Sequence, residues 1–583
     1  MLKKTSLCIA ALFAISACQQ QQPKAKSTPK PEAEPAQMVI HGGKILTMDQ
    51  AGTEAEAIAI RDGSIVAVGD YKDIEPLIAS QTKVIELENE LVIPGFIEAH
   101  GHFMGTGFAL KNLRLDTCKN WQEVIAKVKA DLSQPGASQW ITGRGWHQEK
   151  WDRLPEKTVA GFPTHEALSA ISPDHAVLLR HASGHAVFAN AKAMALAGIT
   201  DSTPNPPGGE IIRDEDGHAI GVFTENAEDL INKAYREWEA NKTEAERLAG
   251  NHLALNLAID DAVSKGITSF QDAGSSFKTI DQIKKVQEKS GLNMRLWFML
   301  GENNQALAAK GADFTKPEYN TPYLAVGGIK RYIDGALGSR GAWLLEPYSD
   351  APESTGQNVM SLEDLRETAK LAKDLGLQLC THAIGDRGNR EVLDIYADYV
   401  SGGDLRWRIE HAQHLNPEDI PRFGELGVIA SMQGIHCTSD APFVEKRLGQ
   451  QRAEEGAYVW RKLMASGAMI CNGTDTPVED VDPIANIYAL VTRKPKSGEP
   501  FYPAQALTVK EALRAYTIHN AYAAFQETKK GSLEPGKWAD ITILSQDITQ
   551  IPVEAIPQTK VRFTIMDGII RYQSQALSGM EKP

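Results

Sequence analysis

The sequence predicts an α/β protein: a (β/α)₈ TIM-like barrel, a composite β-sandwich built from both chain ends, and an insertion over the barrel mouth. Three observations predict it. Eight short apolar runs bounded by glycine alternate with stretches of helical spacing. The two ends of the chain share a different grammar, short alternating strands joined by Asp-Gly or Gly-Gly turns. A stretch from about 110 to 250 is too long for one βα connection and carries strands and helices of its own.

The chain begins Met-Leu-Lys-Lys, continues with an apolar stretch from Leu7 to Ile15, and reaches Ser16-Ala17-Cys18. The apolar part is well short of the ~20 residues that cross a bilayer, so it is not a membrane span. Charged, apolar and small-residue parts in that order make residues 1–17 a secretory signal, and small residues directly before Cys18 resemble a bacterial lipoprotein signal with Cys18 as the lipid-bearing residue. Residues 18–37 follow as a tether of Gln, Pro, Lys, Ser and Glu that buries too little to fold. The expected location is the cell envelope, lipid-anchored, periplasmic or associated with the outer membrane.

Residues 38–95 and 530–583 form the expected sandwich, because neither end has enough strands to close a core alone. Its strands include Lys44 to Met48, Ala57 to Arg61, Ala539 to Leu544 and Val561 to Met566. Residues 96–529 form the barrel with its insertion. The expected barrel strands are Leu91 to Glu98, Ile267 to Gln271, Met294 to Leu300, Ala325 to Ile333, Leu377 to Thr381, Trp407 to Glu410, Val428 to Met432 and Ala468 to Asn472. Glu363 to Leu375 and Arg387 to Tyr399 are expected helices. In such a barrel the active site gathers at the C-terminal strand ends.

Of six cysteines, Cys8 lies in the signal and Cys18 is the lipid site; Cys380 and Cys471 fall in core strands as small apolar residues, and Cys118 and Cys437 have no evident place. A net charge of −14 over 583 residues, without a basic cluster, argues against a nucleic-acid partner.

The chemistry sits at the strand ends. The first strand ends His100-Gly101-His102, and residues two apart face the same way, so both imidazoles can chelate one ion. The fifth ends Thr381-His382, the sixth Glu410-His411, and the eighth runs into Gly473-Thr474-Asp475. Four histidines and an aspartate are a nitrogen and oxygen set suited to a divalent metal, zinc first.

Leu91 to His102, His185 to Asn190, Gly328-Ile329-Lys330, Asp334 to Arg340, His382 to Asn389, Arg408 to His411 and Gly473 to Pro483 together resemble the amidohydrolase superfamily. The resemblance is to its insertion-bearing branch (amidohydrolase 3 type), typified by N-substituted formamide deformylase, and covers nearly all of the chain after the tether. It implies that Lys330, if carboxylated by CO₂, bridges two metals, with His100, His102, Lys330 and Asp475 on one and Lys330, His382 and His411 on the other. A Lys330 paired with a carboxylate such as Asp334 would leave a one-metal site. It also implies hydrolysis of a C–N bond of a small molecule, amide-type with N-formyl, N-acyl and cyclic amides among the candidates, by metal-activated hydroxide, with Asp475 as the catalytic proton shuttle. The competing expectations are a mononuclear deaminase of a cyclic amidine and a non-catalytic lipid-anchored binding protein; the full ligand set speaks against the latter. His185 and Arg340 match family positions near the pocket, Trp146 and His147 are expected to line it, and Asp386 either orients His382 or caps the next helix. His414 is a rival ligand to His411, while His41, His252 and His519 are expected to be surface or structural. Relatives often self-associate, so a homo-oligomer is allowed, but no interface is legible.

Overall fold

The computed structural model describes residues 34–574 apart from 116, 134–137, 149–150, 182–185, 207–208, 339, 401–402 and 497. The signal, Cys18 and His185 lie outside the described residues.

Eight parallel strands form the barrel: β1 (Phe96–Gly101), β2 (Ile267–Ser275), β3 (Arg295–Leu300), β4 (Leu324–Tyr332), β5 (Gln378–Ala383), β6 (Arg408–His411), β7 (Ile429–Met432) and β8 (Ile470–Asn472). Each pairs with its neighbour in chain order. Side chains of β3 and β7 are buried along their whole length, as expected of strands covered on both faces. The seam between β8 and β1 is closed differently. Asn520 Nδ2 donates to Ile97 O (2.5 Å) and to Asn472 O (2.8 Å), and its Oδ1 accepts from Asn472 N (3.1 Å). At the rim, Asp475 N donates to His100 O and His102 N to Thr476 O, both at 2.7 Å.

The helices follow their sequence signals. Helix Leu362–Leu375 starts at Ser361, whose Oγ accepts from Asp364 N (3.0 Å), and stops at Gly376 in the left-handed region (φ 67°). The next helix, Asp386–Val400, buries Val392, Leu393 and Tyr396 against the barrel.

One expected strand divides. The run Leu91 to Glu98 breaks at Pro94-Gly95: Leu91–Pro94 belongs to the sheet of the chain ends, and the barrel strand begins at Phe96. Proline ends the first ladder, and a Cβ at Gly95 would meet the Thr268 side chain at 2.3 Å, so only glycine passes there. Leu91–Pro94 pairs parallel with Lys44–Ile45 and antiparallel with Ile541–Leu544, joining the N-terminal strands to the C-terminal ones in one eight-stranded sheet. The first strand of that sheet shifts register between His41 and Ile45, with Gly42 at φ 91°, and Ile40, Ile58, Val92, Ile541 and Phe563 share one core.

The insertion contains a six-stranded sheet between Leu113 and residue 225 with its own buried clusters, one around Trp121, Trp146 and Phe188 and another around Trp140, Leu178 and Phe223. Helix Glu244–Ser264, opened by a capping box of Thr243 and Glu246, then returns the chain to β2. The four described cysteines, Cys118, Cys380, Cys437 and Cys471, are buried and form no disulfide with one another. Among the described residues no helix is long and apolar enough to cross a membrane.

Candidate metal centre

Strand register brings the polar residues to one rim. Tyr332 on β4 pairs with His382 on β5, and Ala383 pairs with His411 on β6. His100 is fully buried and His102, two residues on, keeps a third of its side chain exposed. Adjacent residues of a strand face opposite sides, so Glu410 and His411 should diverge. His411 instead has φ 76° and Ala412 φ 43°, a turn that brings the His411 ring to 4.7 Å from His100 and 4.4 Å from His382. Asp475 is likewise left-handed, at φ 59°. Non-glycine residues held there cost of order 1–3 kcal/mol each, and such strain concentrates at functional positions.

His100, His411 and Asp475 present ligand atoms within 4.8 Å of one another. Asp475 Oδ1 lies 3.2 Å from His102 Nε2 and 3.6 Å from His100 Nε2 without the alignment of a hydrogen bond. Lys330 Nζ is 3.2 Å from His100 Nε2 and 4.6 Å from the centre of the Tyr332 ring, with only 2 % of the residue exposed. Asp334 does not pair with it: that carboxylate accepts from the backbone amides of Trp343 (2.9 Å), Ile384 (3.0 Å) and Gly385 (2.8 Å).

The electrostatics prepare donors for a cation. Burial, reinforced by the nearby Lys330, lowers His100 to about 4 and His382 to about 3, and burial drives His411 well below the usual range. All three are neutral at physiological pH. Burial also lowers Lys330. For Asp475 burial pulls upward, but the adjacent His102 and the nearby His100 and His411 rings outweigh it and keep the carboxylate ionised. A set of neutral imidazoles and one carboxylate, with the orphaned buried atoms Asp475 Oδ1 and His382 Nε2, fits a divalent metal.

A layer behind the donors escaped the sequence reading. His100 Nδ1 is hydrogen-bonded to Glu410 Oε2, and Glu410 Oε1 accepts from Arg408 Nε (2.7 Å) and is ion-paired with its Nη2 (2.6 Å). This leaves His100 Nε2 for the rim. Gln433 Oε1 lies 2.7 Å from His411 Nδ1. The signal was present in Arg408-Ile409-Glu410-His411, where two charges on the inward face of a core strand need partners. Asp386 does not reach His382: its Oδ1 accepts from Leu345 N and Arg387 N, both 2.9 Å, at the start of its helix. The carboxylate beside His382 is Asp334, 3.5 Å from Nε2.

The expected substrate contacts are largely committed elsewhere. Arg340 Nη2 binds Asp350 at 2.8 Å. Trp146 is buried in the insertion core and donates from Nε1 to Leu179 O (3.0 Å), because its position in the inner strand faces Trp121 and Phe188 rather than the mouth. Its neighbours Arg144 and Gly145 instead line a cavity of about 390 Å³ that reaches Thr106, Thr476 and Val478. The His147 ring lies 4.5 Å from that of His181, tilted by 52°. His414, the rival ligand, is buried with neither ring nitrogen hydrogen-bonded and lies against Tyr458 (5.5 Å). His519 is mostly buried below the rim, its Nδ1 3.1 Å from Ile470 O.

Comparison with known proteins gives a consistent result. The model of the amidohydrolase family matches residues 83–572. Protein LONG AFTER FAR-RED 3 of Arabidopsis thaliana is 33% identical over 536 residues, 89% of each chain. N-substituted formamide deformylase of Arthrobacter pascens is 26% identical over 545 residues, 92% of this chain and 98% of that one. An uncharacterized metal-dependent hydrolase from Pyrococcus horikoshii superposes with a TM-score of 0.71 at 26% identity, covering 89% of this chain and 99% of its own.

Proposed function

The chain belongs to the amidohydrolase family, and on that premise we propose that it hydrolyses a C–N bond of a small amide, N-formyl amine, N-acyl amine or cyclic amide at a two-metal centre. The observation that carries this is Lys330: a buried amine at the rim, lowered by burial and 3.2 Å from a histidine nitrogen rather than on a carboxylate. Burial favours the neutral amine, whose lone pair can add to CO₂ and lose one proton to give an anionic carbamate. The carbamate, His100, His102 and Asp475 would hold one divalent ion, zinc first, and the carbamate, His382 and His411 the other. Bound metal supplies Lewis acidity and lowers the pKa of water.

The protein's own groups do the rest. Glu410 holds the His100 ring, and Gln433 the His411 ring, in fixed orientations. Asp475, kept ionised, takes a proton from the attacking water and returns it to the leaving nitrogen. The name of the Arthrobacter relative supports formamides as the first substrates to try. At the other end of the chain, we read Cys18 as a lipid anchor in a cell envelope; Cys18→Ser should then move the protein from the membrane to the soluble fraction.

The test is elemental analysis and native mass spectrometry of the full chain, followed by a panel of N-alkylformamides, N-acetyl amino acids and hydantoins. Two metals and a CO₂ adduct that is lost in Lys330→Ala, with turnover of a panel amide, are expected. One metal without the adduct would overturn the two-metal centre and bring cyclic amidine deamination forward.

A further inference from the structure

Beyond the donor set lies a histidine that no expected role uses. His436 sits in the first turn of the helix Gly434–Leu448 that follows β7, three residues after Gln433, which holds the His411 ring. Its ring is parallel to that of His411 (11°) with centres 6.1 Å apart, and only 7 % of the residue is exposed. Gln413, on the turn after β6, places its Nε2 3.1 Å from His436 Nδ1. An amide nitrogen there donates, so Nδ1 accepts and the neutral ring carries its proton on Nε2. That Nε2 is buried without a hydrogen-bond partner. The nearest carboxylate on its own helix, Asp440, accepts from Tyr458 Oη instead (2.6 Å).

A buried N–H without an acceptor costs about 1–3 kcal/mol, and one held in place beside a reaction centre is most simply explained by an acceptor that arrives with the substrate. We propose that His436 is a further catalytic residue, whose Nε2–H donates a hydrogen bond to the carbonyl oxygen of the substrate and binds it more tightly as it becomes the oxyanion. The inference rests on the acyl-transfer chemistry proposed above. It is a donor role, so His436 keeps its proton throughout and no net transfer passes through it.

The probe is methylphosphonate, a tetrahedral oxyanion without a leaving group, titrated by calorimetry into the metal-loaded full chain as wild type, His436→Ala and His436→Gln. Glutamine extends an N–H about as far as the ring Nε2. The expected result is a ~10- to 100-fold weaker binding in His436→Ala, retention within about threefold in His436→Gln, and the same metal content in all three. Equal affinity in His436→Ala would overturn the proposal. So would loss of a metal from it, which would make His436 a ligand, or a glutamine variant as weak as alanine. Wild type inactive on the whole amide panel would sink the amide reading and leave the phosphonate result to decide on His436 by itself.

Discussion

Glu410 separates the stability of the barrel from its hold on metal. Its side chain and that of Arg408 are both fully buried, and Arg408 with His100 keeps the carboxyl far below its ordinary range in spite of the burial. In Glu410→Gln one oxygen still accepts from His100 Nδ1, but the charge facing Arg408 is gone. Removing one partner of a buried pair costs ~3–5 kcal/mol, because the remaining charge is left uncompensated. Arg408 retains Gln271 Oε1 (2.5 Å) and Ala99 O (3.2 Å), which sets the expectation at the lower end, about 3 kcal/mol. The His100 imidazole also loses its anionic partner, so metal affinity should fall ~10- to 100-fold. Urea denaturation of chelator-treated protein measures the first quantity and competition with a zinc-sensitive dye the second. Adding Arg408→Met removes the stranded charge, so the double variant should recover most of the stability while its metal affinity stays low. A single variant as stable as wild type, or a double variant no better than the single one, would refute this account of the pair.

Three further outcomes follow from geometry. Burial raises Glu98 to about 8, and its Oε1 accepts from Thr474 N at 2.6 Å. The folded chain therefore keeps a proton that the unfolded chain releases above about pH 4.5, and stability falls as pH rises from there through about 8. Glu98→Gln removes that titration, so its stability relative to wild type should improve by a few kcal/mol between pH 5 and pH 9; parallel urea curves at both pH values would contradict the shift. At Gly473 a Cβ would lie 2.3 Å from Glu98 Oε1 and 2.6 Å from His100 N, so Gly473→Ala should displace Asp475 and cut kcat/KM about 100-fold while the fold persists; an unchanged rate would show that the loop has room. Asn520→Ala strips three buried hydrogen bonds from the barrel seam and should cost about 3 kcal/mol or more in urea, and a loss under about 1 kcal/mol would mean that the seam does not depend on it.

The barrel was legible because its strands are apolar runs punctuated by glycine, and the rim because His100, His102, His382, His411 and Asp475 all fall at the ends of those runs. What escaped depends on matters that periodicity does not encode. A continuous run such as Leu91 to Glu98 carries no mark of which sheet each half joins, and only the Pro94-Gly95 break hints at the change. Alternation would turn His411 away from Glu410, and the left-handed backbone that reverses this has no glycine to announce it. Trp146 follows a pocket-lining pair in sequence, yet one step along a strand reverses the face, which sends it into the insertion core. The partners of His436 and His100 come from the sixth strand and the turn after it, and such pairings appear only once the strands are in register.

Leu91–Pro94 lies between a strand that ends at Leu46 and one that begins at Ile541. Before residues 541–544 dock, that four-residue segment is an uncovered edge, with a row of hydrogen-bonding groups open to any other extended chain. Closing so long a loop costs more entropy than pairing neighbouring strands, which favours the mostly sequential pairings of barrel and insertion over the terminal sheet. A chain without residues 541–573 would thus carry a largely built barrel beside a strand still seeking a partner. The vulnerable interval for this chain runs until residues 541–544 dock, and the hazard in it is strand exchange between neighbouring chains.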